Sequence, residues 1–148
     1  MHALHHLHEG VIMLTSYDKP LPVIDNDSKS YWDHARAHRL SVQVCKACGH
    51  QHFPPTPVCP SCLSDAQTWE PVSGRGTLVS WVTFHRAYWP AFRDDLPYHV
   101  CLVQLDDGPL IAGNFAGNIP DGAKMGMPMK VQFDDVTPDI SLAKFVPA

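Results

Sequence analysis

The sequence has 148 residues, of which 45% are hydrophobic, and it carries a formal charge of −4 at pH 7. This length allows one ordinary domain or two very small ones, and the apolar fraction excludes a wholly disordered chain. No third of the sequence is strongly basic, which argues against a nucleic-acid binder, because such proteins owe much of their affinity to phosphate neutralisation. The 14 prolines favour turns and short strands over a helical bundle.

The N-terminal region carries no targeting or membrane signal. No apolar run approaches the ~20 residues of a membrane helix, and the basic and apolar regions of a signal peptide are missing. We therefore predict a cytoplasmic protein without membrane contact. Residues 1–26 are predicted to form a flexible extension. Its first stretch, MHALHHLHEGVIML, holds four of the ten histidines and is interpreted as a disordered tail or a product of start-codon choice rather than a metal site.

The stretch DNDSKSYWDHARAHRL predicts a helix. Asp27 or Ser28 can cap its first turn, and Tyr31, Trp32 and Ala35 form an apolar stripe at helical spacing. The stripe can pack against the helix's own domain, or it can contribute to a partner or ligand surface. Tyr31 and Trp32 are therefore candidate contact residues.

Four cysteines follow in the stretch CKACGHQHFPPTPVCPSC, as two C-x-x-C pairs. Each pair can present two sulfurs to one ion, and two such turns complete the tetrahedral shell that structural zinc prefers. We predict one zinc ion held by Cys45, Cys48, Cys59 and Cys62. Gly49 suits a turn that needs a positive φ, although the second pair lacks an equivalent glycine.

The four-thiolate count also predicts the role of the ion. A catalytic zinc site keeps one position open for water or substrate, and four cysteines leave none. The zinc should therefore be structural, and its binding should largely fold the ribbon. A redox C-x-x-C is the main rival, but such motifs usually occur singly at the start of a helix. His50 and His52 could replace a cysteine, but we expect them to face solvent or bond to carbonyls.

From Gly74 onwards the pattern changes to five strand-like runs separated by turn residues, which predicts a small barrel of the OB-fold type. The domains are therefore predicted as 27–73, helix and zinc ribbon, and 74–148, barrel. Gly113 is expected to mark a bulge or bend. Cys101 could be written as a nucleophile, but a small buried residue in a barrel strand is the favoured interpretation. No catalytic residue is assigned.

The stretch HRAYWPAFRDDLPYH lies between the first two barrel strands and is unusually aromatic. Such a loop is either a binding element or a cover for the open end of the barrel. Its candidate ligand or partner contacts are Arg86, Tyr88, Trp89, Phe92 and Arg93. The adjacent acids at 94 and 95 favour a protein or a phosphorylated small molecule over bare nucleic acid.

Taken in order, these motifs resemble the proteins built from a rubredoxin-like zinc ribbon followed by an OB-fold, which were long classed only as a domain of unknown function. The resemblance runs from about Pro20 to the C-terminus and includes all four cysteines. It is carried by the cysteine stretch, SGRGTLVSWVTFHRAYWPAF, LPYHVCLVQLDDGP, IAGNF, GMPMKVQFDDV and SLAKFVP.

The resemblance implies a function that spacing alone does not show. Members of this family are generally non-catalytic small subunits of thiolase-superfamily enzymes, or of hotdog-type hydratases and aldolases that act on acyl-CoA. Some are proposed to bind acyl-CoA, and others bridge the catalytic subunits of thiolases, steroid side-chain retro-aldolases and a phloroglucinol C-acyltransferase complex. We therefore expect an accessory subunit of a thiolase-superfamily enzyme. A nucleic-acid-binding ribbon and barrel is the alternative, and an enzyme that uses Cys101 is a third hypothesis.

Overall fold

The structure, a computed structural model, describes residues 17–148, so the histidine-rich start of the chain lies outside the described residues. One α-helix precedes eight strands, and a 3-10 helix lies between the fourth and fifth strands. The elements are α1 Lys29–Arg36, β1 Ser41–Cys45, β2 Gln51–His52, β3 Gln67–Pro71, β4 Arg75–Phe84, the 3-10 helix Pro90–Asp95, β5 Tyr98–Leu105, β6 Leu110–Phe115, β7 Pro128–Asp135 and β8 Ser141–Pro147. Within residues 17–148 no helix has the length and apolarity needed to cross a membrane.

Helix α1 begins at Lys29, inside the stretch for which sequence analysis predicted a helix, but its first turn is fixed differently. Ser28 is the N-cap residue, yet its hydroxyl bonds the carboxylate of Asp25 at 2.7 Å instead of capping a helix amide. The Ser28 N–H donates to the same carboxylate at 2.8 Å, and the Asp25 carbonyl accepts from Lys29 N–H at 2.9 Å. Asp25, which precedes the predicted caps Asp27 and Ser28, therefore connects the incoming chain to the helix.

The helix ends with a residue in the left-handed region. His38 has a φ of +57°, its N–H donates to the Ala35 carbonyl, and Arg39 N–H donates to the His34 carbonyl. These two bonds form a Schellman motif, in which glycine is the usual left-handed residue because it has no Cβ. His38 stands there instead, and its side chain, which glycine would lack, forms contacts outside the helix.

The ribbon is a three-stranded antiparallel sheet in the order β2-β1-β3. Strand β3, which sequence analysis did not predict, pairs with β1 along five residue pairs from Ser41–Pro71 to Cys45–Gln67. The run QTWEP holds only one aromatic and one β-branched residue, so it lacks a strong strand signal. Pairing with β1 is what makes it a strand.

The C-terminal part is a closed five-stranded barrel in the order β4-β5-β6-β8-β7, as the sequence predicted. Strands β6 and β8 pair in parallel, and the remaining neighbours are antiparallel. The largest of its fully buried side chains are Phe145, Leu78 and Met129. These residues give the barrel an apolar core of its own.

The bend that sequence analysis assigned to Gly113 lies elsewhere. The register shift in the barrel falls between Leu78 and Ser80 in β4, whereas Gly113 pairs regularly with Cys101. A Cβ at position 113 would lie 3.0 Å from Cε2 of Phe145. Glycine at this position leaves room for a buried aromatic ring close to the backbone, and any larger residue would have to displace that ring by a few tenths of an ångström.

His38 connects the helix to the barrel. Its Nε2 lies 2.8 Å from Oδ1 and 3.0 Å from Oδ2 of Asp135, at the end of β7. The Ser141 hydroxyl donates to the same carboxylate, and the His38 ring stacks on Phe133 at a centroid distance of 5.6 Å. A second contact lies at Asp107, whose carboxylate accepts from Ser73 N–H at 2.9 Å. Gln51 of β2 donates to the Asp107 carbonyl at 3.3 Å, and Leu40 and Val42 share one apolar cluster with the barrel core, so polar and apolar contacts together join the ribbon to the barrel.

Asp135 gives a testable pH dependence. The Ser141 hydroxyl and His38 hold the pKa of Asp135 below its ordinary value, so the unfolded chain takes up this proton more readily than the folded one. Stability from this group is present above a pH of about 4 and is lost as pH falls through the lowered pKa. We expect Asp135→Asn to unfold more easily than wild type at pH 6, with the difference shrinking towards pH 3 in urea titrations.

Asp121→Asn is the matched control, because Asp121 is exposed and forms no ion pair among residues 17–148. Acid loss of any bound metal affects wild type and variants alike, so it cancels in the comparison. A difference between wild type and Asp135→Asn that stays constant from pH 6 to pH 3 would contradict the assignment.

Candidate functional site

The two cysteine pairs sit in turns with the same hydrogen-bond pattern. In the first, Gly49 N–H donates to the Cys45 carbonyl at 2.8 Å, and in the second, Leu63 N–H donates to the Cys59 carbonyl at 2.8 Å. Gly49 has the predicted positive φ of +77°. Leu63 occupies the equivalent position with a φ of +64°. The second turn therefore adopts the same left-handed conformation without the glycine that would accommodate it most easily.

The four sulfurs converge on one point. All four lie within 4.8 Å of one another, with 3.6 Å between Cys45 and Cys62 and 3.7 Å between Cys48 and Cys59. A tetrahedral zinc ion with Zn–S bonds of ~2.3 Å separates its sulfurs by roughly 3.8 Å, so the spacing fits a bound ion. Cys45 and Cys59 are buried and the other two are exposed. A structural zinc ion would be held by these thiolates, with no coordination position open to substrate.

The local hydrogen bonds already favour a thiolate in this cluster. The backbone N–H groups of Cys48 and Ala47 lower the pKa of Cys45 to about 6. The Ser64 N–H likewise lowers the pKa of Cys62. Hydrogen bonds to the Cys45 and Cys48 sulfurs have the larger, opposite effect, so the pKa of Cys62 is raised to about 12. The Cys45 thiolate thus forms first while Cys62 keeps its proton, and a divalent cation relieves this competition by taking the place of the shared proton.

The two histidines inside the cysteine stretch stand outside the sulfur cluster. His52 is buried, with Nε2 bonded to the side-chain oxygen of Gln67 and Nδ1 3.4 Å from the Pro54 carbonyl. The Gln67 amide in turn donates to the Thr56 carbonyl at 2.8 Å. His50 is exposed and stacks on His52. His52 therefore organises the loop between the two turns.

Cys101 is fully buried in the barrel. Burial raises the pKa of its thiol to about 11, so the reactive thiolate is scarce near neutral pH. His99, two residues before Cys101 in β5, has its Nδ1 3.0 Å from the Thr83 hydroxyl. This arrangement favours the interpretation of Cys101 as a core residue.

The two aromatic residues of α1 differ in position. Tyr31 is only 7% exposed, contacts Phe53 and Trp69 at centroid distances of 5.3 and 6.0 Å, and has its pKa raised to about 12 by burial. Tyr31 therefore holds the helix on the ribbon and offers little surface to a partner. Trp32 is half-buried and packs edge-on against Tyr31 at 4.9 Å. Part of its ring remains available to a partner.

The loop between β4 and β5 exposes its aromatic residues. Tyr88 and Trp89 are 67% and 59% exposed, and the Arg86 guanidinium lies 5.5 Å from the centre of the Tyr88 ring. Phe92 is half-buried and contacts Tyr98 at 6.1 Å, which anchors the base of the loop to the barrel. We call residues 85–97 the aromatic loop. Arg93, inside the 3-10 helix, is also exposed.

A groove of about 510 Å³ runs beside this loop over the second and third barrel strands. In OB-folds this face, together with the adjoining loops, is where ligands bind. Its apolar wall comes from Phe92, Tyr98, Val100, Phe115 and Leu142. Two lysines also line it, and both are paired with aspartates: Lys19 with Asp95 at 3.0 Å, and Lys144 with Asp134 at 2.7 Å. Sequence analysis missed this groove, because its walls come from segments far apart in the chain.

Comparison with known proteins agrees with this architecture. Residues 32–67 match the family described as ChsH2, rubredoxin-like zinc ribbon domain, and residues 69–134 match the ChsH2 C-terminal OB-fold domain. A DUF35 domain-containing scaffold protein of Pyrococcus furiosus is 34% identical over 102 residues, which cover 68% of this chain and 74% of that protein. The chain belongs to the DUF35 family. Its zinc-ribbon match and its four-cysteine cluster fit one structural zinc ion.

Two further relatives of this DUF35 chain are subunits of acyl-CoA or aldolase enzymes. A probable enoyl-CoA hydratase alpha subunit of Thermomonospora curvata is 36% identical over 131 residues, 88% of this chain but only 40% of that protein. The solved structure of the Ltp2-ChsH2(DUF35) aldolase contains a chain that is 33% identical with a TM-score of 0.72. That match covers 86% of this chain and 98% of the other.

The first prediction from the metal centre concerns removal of the ion. Strong chelation, or Cys45→Ser, should unfold the ribbon, because zinc binding in small sites contributes ~10–16 kcal/mol that the ribbon core cannot replace. We expect one zinc per chain by elemental analysis, and a lower melting temperature without it. Cys101→Ala should keep its zinc and serves as the control. A zinc-free protein that melts as wild type does would contradict the structural assignment.

The second prediction concerns the two left-handed positions. Leu63→Gly should raise the free energy of unfolding by up to about 1 kcal/mol, because glycine accepts the positive φ and Leu63 is exposed. Gly49→Ala should lower it by about 1 kcal/mol, since no atom lies within 4 Å of the added Cβ and the cost is conformational. Guanidinium titrations at saturating zinc measure both. Changes of the same sign in both variants would refute the account.

Proposed function

We propose that this DUF35 protein is a non-catalytic accessory subunit that docks on a thiolase-superfamily enzyme: a thiolase, a retro-aldolase or a C-acyltransferase. The observation that carries the proposal is the match to almost the whole DUF35 chain of the Ltp2-ChsH2 aldolase. A filled thiolate shell and a buried, protonated Cys101 support it, because neither offers a reactive group to a substrate. The chemistry would take place on the partner polypeptide.

The aromatic loop is the proposed contact surface. Protein interfaces draw most of their affinity from a few Trp, Tyr and Arg side chains, and the loop presents Trp89, Tyr88 and Arg86 to solvent. The stacking of Arg86 on Tyr88 orders both side chains before binding, which lowers the entropic cost of docking. Arg93 and the exposed part of Trp32 are proposed to extend this surface.

The barrel groove supports a role for the subunit beside the partner's active site. Its apolar wall suits an acyl chain, and Phe92 belongs both to that wall and to the aromatic loop. A partner docked on the loop would therefore lie next to the groove. We propose that the groove extends the acyl channel of the partner, in the service of acyl transfer or acyl-CoA metabolism.

A nucleic-acid-binding role stays the alternative. Oligonucleotides bind OB-folds through free basic side chains and stacking. In the barrel groove, however, Lys19 and Lys144 are each neutralised by an aspartate. This arrangement favours the accessory-subunit proposal.

Co-expression tests the proposal directly. The full chain, produced with each thiolase-superfamily protein of its host, should form a stable complex with one of them in size-exclusion chromatography. Trp89→Ala should weaken that complex at least tenfold, because hot-spot aromatics typically contribute ~2 kcal/mol or more. Cys101→Ala should leave the activity of the complex unchanged.

Two results would overturn the proposal. One is a lone monomer beside a thiolase-superfamily enzyme that is fully active without it. The other is loss of activity by several orders of magnitude in Cys101→Ala while the complex still assembles, which would assign chemistry to this chain.

A further inference from the structure

The chain leading into α1 is fixed at both ends. Lys19 Nζ lies 3.0 Å from Asp95 Oδ2 in the aromatic loop. Six residues later, the Asp25 carboxylate accepts from Ser28 N–H at 2.8 Å, and the Asp25 carbonyl accepts from Lys29 N–H at 2.9 Å. We call residues 19–25 the arm. It spans from the barrel loop to the start of the helix, and it contains no helix or strand.

The arm presents aliphatic side chains to solvent. Val23 is 81% exposed, Leu21 is 45% exposed and Ile24 is 43% exposed. Single exposed aliphatic residues are common on protein surfaces, but three within four residues are a concentrated apolar surface. Pro20 and Pro22 restrict φ and have no N–H, so the arm resists rearrangement into a helix or a paired strand. Its apolar side chains therefore remain unburied within the described part of this chain.

The arm adjoins the aromatic loop. The Lys19 ammonium lies 5.9 Å from the centre of the Phe92 ring and is paired with Asp95, both in that loop. The exposed large side chains of the two segments are Leu21, Val23, Ile24, Tyr88 and Trp89. Together they expose on the order of 600 Å², a large part of the ~800 Å² that each partner contributes to a standard interface. The size suits a protein partner.

We propose that the arm and the aromatic loop form one two-part docking face for the catalytic subunit, whose matching surface is an apolar groove with a rim that is basic where it faces the arm. This inference rests on the proposed function. Because the arm is held at both ends, little conformational entropy is lost when it docks. The exposed Asp18 and Asp27 flank its aliphatic residues, so the complementary rim carries Lys or Arg.

The charges of the arm favour a different polypeptide over an arm-to-arm contact between two copies. Such a contact would set the exposed Asp18 and Asp27 of one copy against the same acidic segment of the other, and like charges repel. A partner with basic residues opposite the arm has the attractive arrangement.

The test measures binding of the full-length chain to the thiolase-superfamily subunit with which it co-purifies, by isothermal titration calorimetry. Val23→Asp should weaken binding at least tenfold, because it replaces a buried aliphatic contact with a charge. Met125→Asp is the matched control: Met125 is 72% exposed on the connection between β6 and β7, so this variant should bind as wild type does. Both variants should melt within about 2 °C of wild type, because surface substitutions change stability little.

The outcomes separate the two proposals. If the wild-type chain binds and Val23→Asp binds within twofold of it, the arm is not part of the docking face. The proposed function would still stand. Absence of wild-type binding to every thiolase-superfamily subunit of the host overturns both. Equal weakening by Val23→Asp and Met125→Asp also overturns the arm, because the effect would then be general surface charge.

A charge exchange tests the attachment of the arm to the loop. Asp95→Lys and Lys19→Asp should each weaken partner binding by up to about fivefold, the range expected for an exposed ion pair. The double variant should return to within twofold of wild type, because it restores the pair in reverse order. Failure of the double variant to recover would overturn the tether and show that one of these residues contacts the partner directly.

Discussion

The convergence of four sulfurs on one point is the constraint on which the N-terminal half of the structure depends. The ribbon consists of two strands of five residues and one of two, which bury too little apolar surface to hold two cysteine turns together. One zinc ion in that shell brings the turns together. Tyr31 then seats the helix on the completed ribbon, and His38 at the helix end reaches Asp135 on the barrel. The helix is thus held on both sides, by Tyr31 on the ribbon and by His38 on the barrel.

The same four-cysteine shell gives the metal ion a structural role and no open position for a substrate. An ion without an open position cannot activate water or polarise a substrate, so the proposed function relies on the surfaces that the ribbon and barrel present. The barrel contributes a stable base, because its strands close on fully buried side chains such as Phe145 and Leu78. On that base, the aromatic loop and the arm can expose apolar side chains without endangering the fold.

Ion pairs at the barrel surface organise these exposed segments. Individually such pairs add little stability, because solvent screens them. Lys19 and Asp95 nevertheless decide where the arm lies relative to the aromatic loop, and His38 and Asp135 decide where the helix lies relative to the barrel. These ion pairs therefore fix the relative positions of the segments more than they add stability. Correctly positioned surface segments are what the proposed accessory subunit would present to a partner.

The sequence by itself determined the features that depend on local pattern, because sulfur spacing and side-chain periodicity are properties of short segments. These features are the cysteine spacing, the positive φ at Gly49, helix α1 and the five barrel strands. The division of domains at residue 74 and the individual contact residues stay predictions. Tertiary structure alone decided the features that need a distant neighbour. Pairing with β1 makes QTWEP a strand, the Phe145 ring explains Gly113, burial removes Tyr31 from the surface, and Asp95 fixes the arm. Each of these depends on an atom many residues away, whose position no local pattern encodes.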